Sequence, residues 1–123
     1  MKTMSMIIRD DSYDKIMVPF AFAHLHASEG VQVDMLFLSW TVNALKQGGA
    51  EAFNIQTAHS DKEDYIRQQV DRIGMSSDIY SMLKGLKGTD CVNFYPCSLA
   101  ATVFDITEEN LIPEASGGIV GAS

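Results

Sequence analysis

Two side chains in this 123-residue chain can serve as sulfur nucleophiles, Cys91 and Cys97. Both lie in the stretch CVNFYPCSLAATVFDITEENLIPE. An apolar run leads into Cys97 and a helical pattern leaves it. A thiol at a strand end, just before or at a helix start, meets unpaired backbone N–H groups and the positive end of the helix dipole. Both favour the thiolate, which is the reactive form. The same amides suit a persulfide anion or another anionic sulfur adduct. Ser98, the next residue, offers a hydroxyl donor or a helix cap. The spacing equally fits a small buried hydrophobe, since free cysteine is among the most buried residue types. Residue type and spacing leave these two readings of Cys97 side by side.

Cys91 opens the strand that Cys97 follows. Six residues of extended chain separate their Cα atoms by roughly 20 Å. A disulfide needs them within about 7 Å, so no intrachain bridge is expected and Cys91 reads as core packing. Other reactive types are poorly grouped. His24 and His26 are two apart on a helix and point to different faces, with no cysteine or carboxylate at metal-ligand spacing. His24, near an apolar stripe, reads as a packing residue, and His59 lies in a loop. The run RDDSYD, with Asp10, follows the first strand and is expected to line a pocket beside Cys97. It is acidic and lacks glycine, so it is no phosphate cradle. The run DKED (Asp61 to Asp64) is a solvated first helical turn. CxxC, GxSxG and GxGxxG motifs do not occur, which argues against thioredoxin-type, hydrolase and dinucleotide-binding chemistry.

The elements that must hold Cys97 follow from periodicity. TMSMIIR is a first strand, and IMVPFAFAHLHASEG a helix with Ile16, Phe20, Ala23 and Ala27 on one stripe. Pro19 fits the first turn of a helix, which places its regular start near Val18. From Val18 to Ala23 that helix is apolar on nearly every face, as if covered by its own sheet and by a neighbouring subunit. VQVDMLFLS is a second strand, apolar on both faces toward its end, as in a strand between two layers. WTVNALKQGG is a short helix ended by Gly48 and Gly49. AFNIQTAHS holds a short strand near Phe53–Thr57 or a loop. Ser60 and Glu63 form a capping box for the helix DKEDYIRQQVDRIG, whose Ile66, Val70 and Ile73 face inward. A further helix starts at Ser76 or Ser77 and carries Ile79, Met82, Leu83 and Leu86. CVNFYP is a strand, SLAATVFDI a helix, TEENLIPE a helical turn closed by Pro113, and GGIVGA a last strand. Strands alternating with helices imply a mainly parallel sheet with helices on both faces, and ligands in such folds bind at the carboxyl ends of strands. Cys97 sits at such an end.

Composition sets the outer bounds. The length suits one domain spanning 1–123. Hydrophobic residues make up 46% and charged residues 20%, which is globular composition. A net charge of -7 repels phosphate backbones, so nucleic acid and anionic membranes are not expected partners. Met1 to Ile8 does not read as a signal peptide, and the longest apolar run, Ile16 to Leu25, is far short of a spanning helix. A cytoplasmic protein with reduced thiols is expected.

The segment GMSSDIYSMLKGLKGTDCVNFYPCSLAATVFDITEENLIPEASGGIVGA closely resembles the second half of DsrE/DsrF-like sulfur-carrier and sulfurtransferase proteins. The shared pattern is an apolar strand, a cysteine followed by a small or polar residue, a helix, an acidic turn ending in Leu-Ile-Pro, and Gly-x-Val-Gly. MIIRDD, VPFAFAHLHASEG and VQVDMLFLSW extend the likeness over nearly the whole chain. The resemblance implies a three-layer α/β/α domain with a five-stranded, mainly parallel sheet, assembled as a homotrimer or homohexamer. It implies that Cys97 carries sulfur as a persulfide or related adduct and exchanges it with donor and acceptor proteins, with no metal or organic cofactor. Ser98, Asp10 and Trp40 are its expected supporting residues. Many relatives have glycine where this chain has Asp105 and Thr41. Some lack the cysteine and serve as structural subunits, so a non-catalytic assembly or regulatory subunit is the rival expectation. A small-ligand-binding α/β domain is a third.

Overall fold

A computed structural model describes residues 2–55 and 57–115. Three parallel strands form its sheet: β1 (Thr3–Ile8), β2 (Gln32–Phe37) and β3 (Val92–Pro96), in the spatial order β1-β2-β3. Helix α1 (Tyr13–Ala27) joins β1 to β2. The longer connection from β2 to β3 holds 3-10 turns at Ser39–Leu45, Gly49–Ala52 and Thr57–Lys62, then α2 (Glu63–Arg72) and α3 (Ile79–Lys87). Helix α4 (Ser98–Val103) and a 3-10 turn at Pro113–Ala115 follow β3.

The register explains where the core lies. Met4, Val33 and Val92 share one row, Met6, Met35 and Phe94 the next, and Ile8, Phe37 and Pro96 the last. All of these positions are apolar and, by the alternation of a strand, lie on one sheet face. Strand order advances in one direction, and right-handed crossovers then lay α1 and α3 on the same face, where they pack together. Ile16, Phe20 and Ala23 of α1 and Leu83 and Leu86 of α3 are buried there. The Phe37 ring meets Phe20 at 6.2 Å and Phe94, edge-on, at 5.9 Å between centroids.

The opposite face differs from the expectation of two covered sides. Its rows are Ser5–Asp34–Asn93 and Ile7–Leu36–Tyr95. Leu36 and Tyr95 are half-buried, while Ile7 is 65% exposed. The sheet also has three strands, not five, among the described residues. Of the strand and loop readings left open near Phe53–Thr57, the described residues favour the loop: Phe53 and Ile55 are buried but form no ladder. The expected strand GGIVGA lies outside the described residues.

Four local readings are corrected. Helix α1 begins at Tyr13 and runs through Pro19. Proline removes the amide that would bond the Lys15 carbonyl, and the helix continues past it. Ser60 does not cap α2. Glu63 instead accepts from Ile55 N at 2.6 Å and pairs with Arg67 at 3.1 Å, and Lys62 holds the cap position. Ile73, expected inward, is exposed because α2 ends at Arg72. Asp78, not a serine, caps α3 by accepting from Ser81 N at 2.9 Å.

Candidate functional site

Cys97 is the joint between β3 and α4. Its amide donates to Phe37 O at 2.9 Å, which carries the sheet ladder one residue beyond β3. Its backbone is still extended, at φ -64 and ψ 134, yet its carbonyl accepts the first helical bond from Ala101 N at 2.8 Å. Cys97 is therefore the N-cap of α4 and Ser98 is the first helical residue. The thiol makes no capping hydrogen bond. Cys97 is 7% exposed and belongs to the same core cluster as Ala100 and Ala101. Ser98 is half-buried, and its carbonyl accepts from Thr102 Oγ1 at 3.0 Å.

The end of α4 is set by the backbone at Asp105. Asp105 has φ 56, in the left-handed region. Ile106 N bonds back to Ala101 O at 2.8 Å and Asp105 N to Thr102 O at 3.4 Å. Those two bonds, with buried Ile106 behind them, are a Schellman stop, whose left-handed residue is most often glycine. Aspartate tolerates that conformation better than most residues. The helix expected to reach Ile106 ends at Val103 for this reason.

The neighbouring strand ends are fastened by Thr41, to which the sequence reading gave no bonding role. Thr41 is fully buried, and its hydroxyl lies 2.9 Å from Ile8 O and 2.6 Å from Leu38 O. It ties the carboxyl ends of β1 and β2 together. Glycine at this position would lose both bonds. Ser39, at φ 53, turns the chain out of β2 just before Trp40. A polar residue inside the run WTVNAL was the available signal for Thr41.

Trp40 is 61% exposed, and its ring lies 4.7 Å from that of Phe104, tilted by 55°. The segment Ser39–Leu45 packs on α4, so Trp40 and the helix led by Cys97 share one end of the molecule. Asp10 is exposed, just past the end of β1. It lines a hollow of about 230 Å³ with Arg9, Lys15 and Pro19. Strand β2 stands between β1 and β3, so the Asp10 and Cys97 strand ends are about 10 Å apart. Cys91 is half-buried at the amino end of β3, where its carbonyl accepts from Val33 N at 2.7 Å. Both thiols are free, at opposite ends of one strand. His24, expected to pack, is exposed. Among the described residues no three histidine, cysteine or carboxylate side chains gather as a metal site. No described helix is long and apolar enough to cross a membrane.

No family model matches the chain. No curated protein matches it either. A solved structure from Methanobacterium thermoautotrophicum, the protein of unknown function MTH1491, superposes with a TM-score of 0.62 at 13% identity. The match covers 98% of this chain and 82% of that one. At that identity the likeness is one of fold alone: an α/β domain built on a parallel sheet.

Proposed function

We propose that the protein is a small sulfur carrier or sulfurtransferase that accepts sulfane sulfur on Cys97 and yields it to a partner protein. The observation that supports this most is the position of Cys97, just past the carboxyl end of a parallel strand and at the N-cap of a helix. Ligands of open α/β sheets bind at that edge. The resemblance of the segment around Cys97 to DsrE/DsrF-like proteins supports the same reading. In the first step the Cys97 thiolate attacks the outer sulfur of a donor persulfide. The donor's S–S bond breaks, a new S–S bond forms on Cys97, and the donor leaves as a thiolate. In the second step an acceptor thiolate attacks that outer sulfur and Cys97 is released. Each step exchanges one S–S bond for another, with no net oxidation. The acting species is a cytoplasmic homo-oligomer, a trimer or hexamer, and needs no metal or organic cofactor.

One observation favours a second reading. Cys97 is 7% exposed, as expected of a packing residue in a non-catalytic assembly or regulatory subunit. The two readings separate by native alkylation with mass mapping. A carrier presents Cys97 to iodoacetamide in the folded protein, more readily than Cys91. A structural subunit is labelled at Cys97 only after denaturation.

A further inference from the structure

We infer that the apolar strip beside Cys97 is a docking surface for a partner-protein segment that carries large apolar side chains flanked by lysine or arginine. Leu99 and Val103 are one helical turn apart on α4 and are 70% and 67% exposed. Val103 adjoins Phe104, whose ring lies tilted against that of exposed Trp40. Helix α4 thus buries Ala100 and Ala101 and turns its largest side chains outward. Isolated surface leucines are ordinary, but a strip ending in an aromatic pair is the form of an interface core.

Charge selects the partner. From Gly88 to Ser123 the sequence has no lysine or arginine, but it has Asp90, Asp105, Glu108, Glu109 and Glu114. Asp105, Glu108 and Glu109 are exposed on the loop that leaves α4, directly after Phe104. The Glu109 carboxyl is held below its ordinary range by its own backbone amide and by the Thr107 hydroxyl. The apolar strip is therefore followed along the chain by an exposed anionic loop. Phosphate-bearing and acidic partners are repelled, and a basic margin is complementary. The inference rests on the carrier reading for the purpose of docking, which is to bring a partner's thiol to Cys97. The surface itself is tested without any thiol.

Trp40 is the chain's one tryptophan, so its emission reports occupancy directly. Three cysteine-free synthetic peptides serve as probes: a Leu-Phe core with lysine flanks, the same core with glutamate flanks, and a serine core with lysine flanks. The lysine-flanked apolar peptide should shift Trp40 emission saturably, and the shift should weaken with added salt. The other two peptides should not shift it. Leu99→Ser with Val103→Ser should weaken binding about tenfold or more. Replacing Asp105, Glu108 and Glu109 by Asn, Gln and Gln should weaken it several-fold and flatten its salt dependence. All five positions are exposed or at a loop, and circular dichroism reports that each variant is folded. Equal response to the glutamate-flanked peptide, or unaltered binding by the Leu99/Val103 variant, overturns the inference. So does a fall in sedimenting mass in that variant, which would assign the strip to a second copy of this chain. Sulfur uptake on Cys97 is read by mass in a separate experiment, so either reading can fail alone.

Discussion

At the scale of single residues, backbone conformation carries information that side-chain patterns hide. Asp105 occupies a left-handed position that stops α4. Asp105→Gly should change stability by less than about 1 kcal/mol, because relief of the backbone offsets the freer unfolded chain. Asp105→Val should cost about 1–2 kcal/mol, since a β-branched residue disfavours that conformation. Urea unfolding of the two variants checks both values. Gly49 is a different case. Its φ is ordinary, but a Cβ there would collide with the Asn43 carbonyl oxygen. Gly49→Ala should therefore destabilise by ~1–3 kcal/mol through displacement of the Ser39–Leu45 turn. Gly48 and Gly49 read as a stop signal in the sequence, but the Ser39–Leu45 turn ends before them and Gly49 opens the next 3-10 turn with Gly48 as its cap. The sequence could not display a close approach between residues six apart, nor show that Thr41 bonds to Ile8 across two strands.

At the scale of elements, alternation and helical spacing located β1, β2, β3, α3 and α4 to within a few residues, and α1 apart from its start. Each of these buries an apolar face against the same core, so the pattern that sequence displays is the pattern the fold uses. Helix α2 was read to within two residues as well, but its cap and the region from Gly49 to Lys62 were less legible because their order comes from polar bonds between distant residues. Arg67 is the centre of that network. Its guanidinium pairs with Glu63, donates to Ser77 O at 3.1 Å and Phe53 O at 2.9 Å, and lies 3.9 Å from the Tyr13 ring centroid. One planar group thus joins α2, the loop before α3, the Phe53 loop and α1. Arg67→Lys keeps the charge but cannot reach these partners at once. It should lower stability by about 1–3 kcal/mol and hasten proteolysis between Phe53 and Ser77, which limited digestion checks. A capping-box reading assigned Glu63 to a local role, whereas its carboxylate serves this longer-range clamp.

At the scale of the whole molecule, two tyrosines give folding a pH limit. Burial raises the Tyr13 pKa, opposed by the Arg67 guanidinium, and the Tyr13 hydroxyl donates to Ser77 O at 2.7 Å. The hydrogen bond from Tyr80 to Glu114 raises the Tyr80 pKa. Both groups hold their protons more tightly folded than unfolded. Their contribution is complete below pH ~10, where free tyrosine titrates, and is lost as pH climbs through the folded values. The urea midpoint should fall above that pH, and the fall should shrink in Tyr13→Phe. Self-association belongs to this scale too. Val18, Phe22 and Leu25 form an exposed stripe on α1, opposite its buried Ile16, Phe20 and Ala23. If that stripe is the subunit contact, Phe22→Ser should lower the sedimenting mass, and a wild-type mass of one chain would contradict the trimer or hexamer. The central claim concerns Cys97, and intact mass after incubation with a polysulfide donor tests it most directly. The account predicts one or more added sulfur atoms, mapped to Cys97, removed by a reductant, absent in Cys97→Ser and kept in Cys91→Ser. No added sulfur in the wild-type protein, or uptake that survives Cys97→Ser, would contradict it.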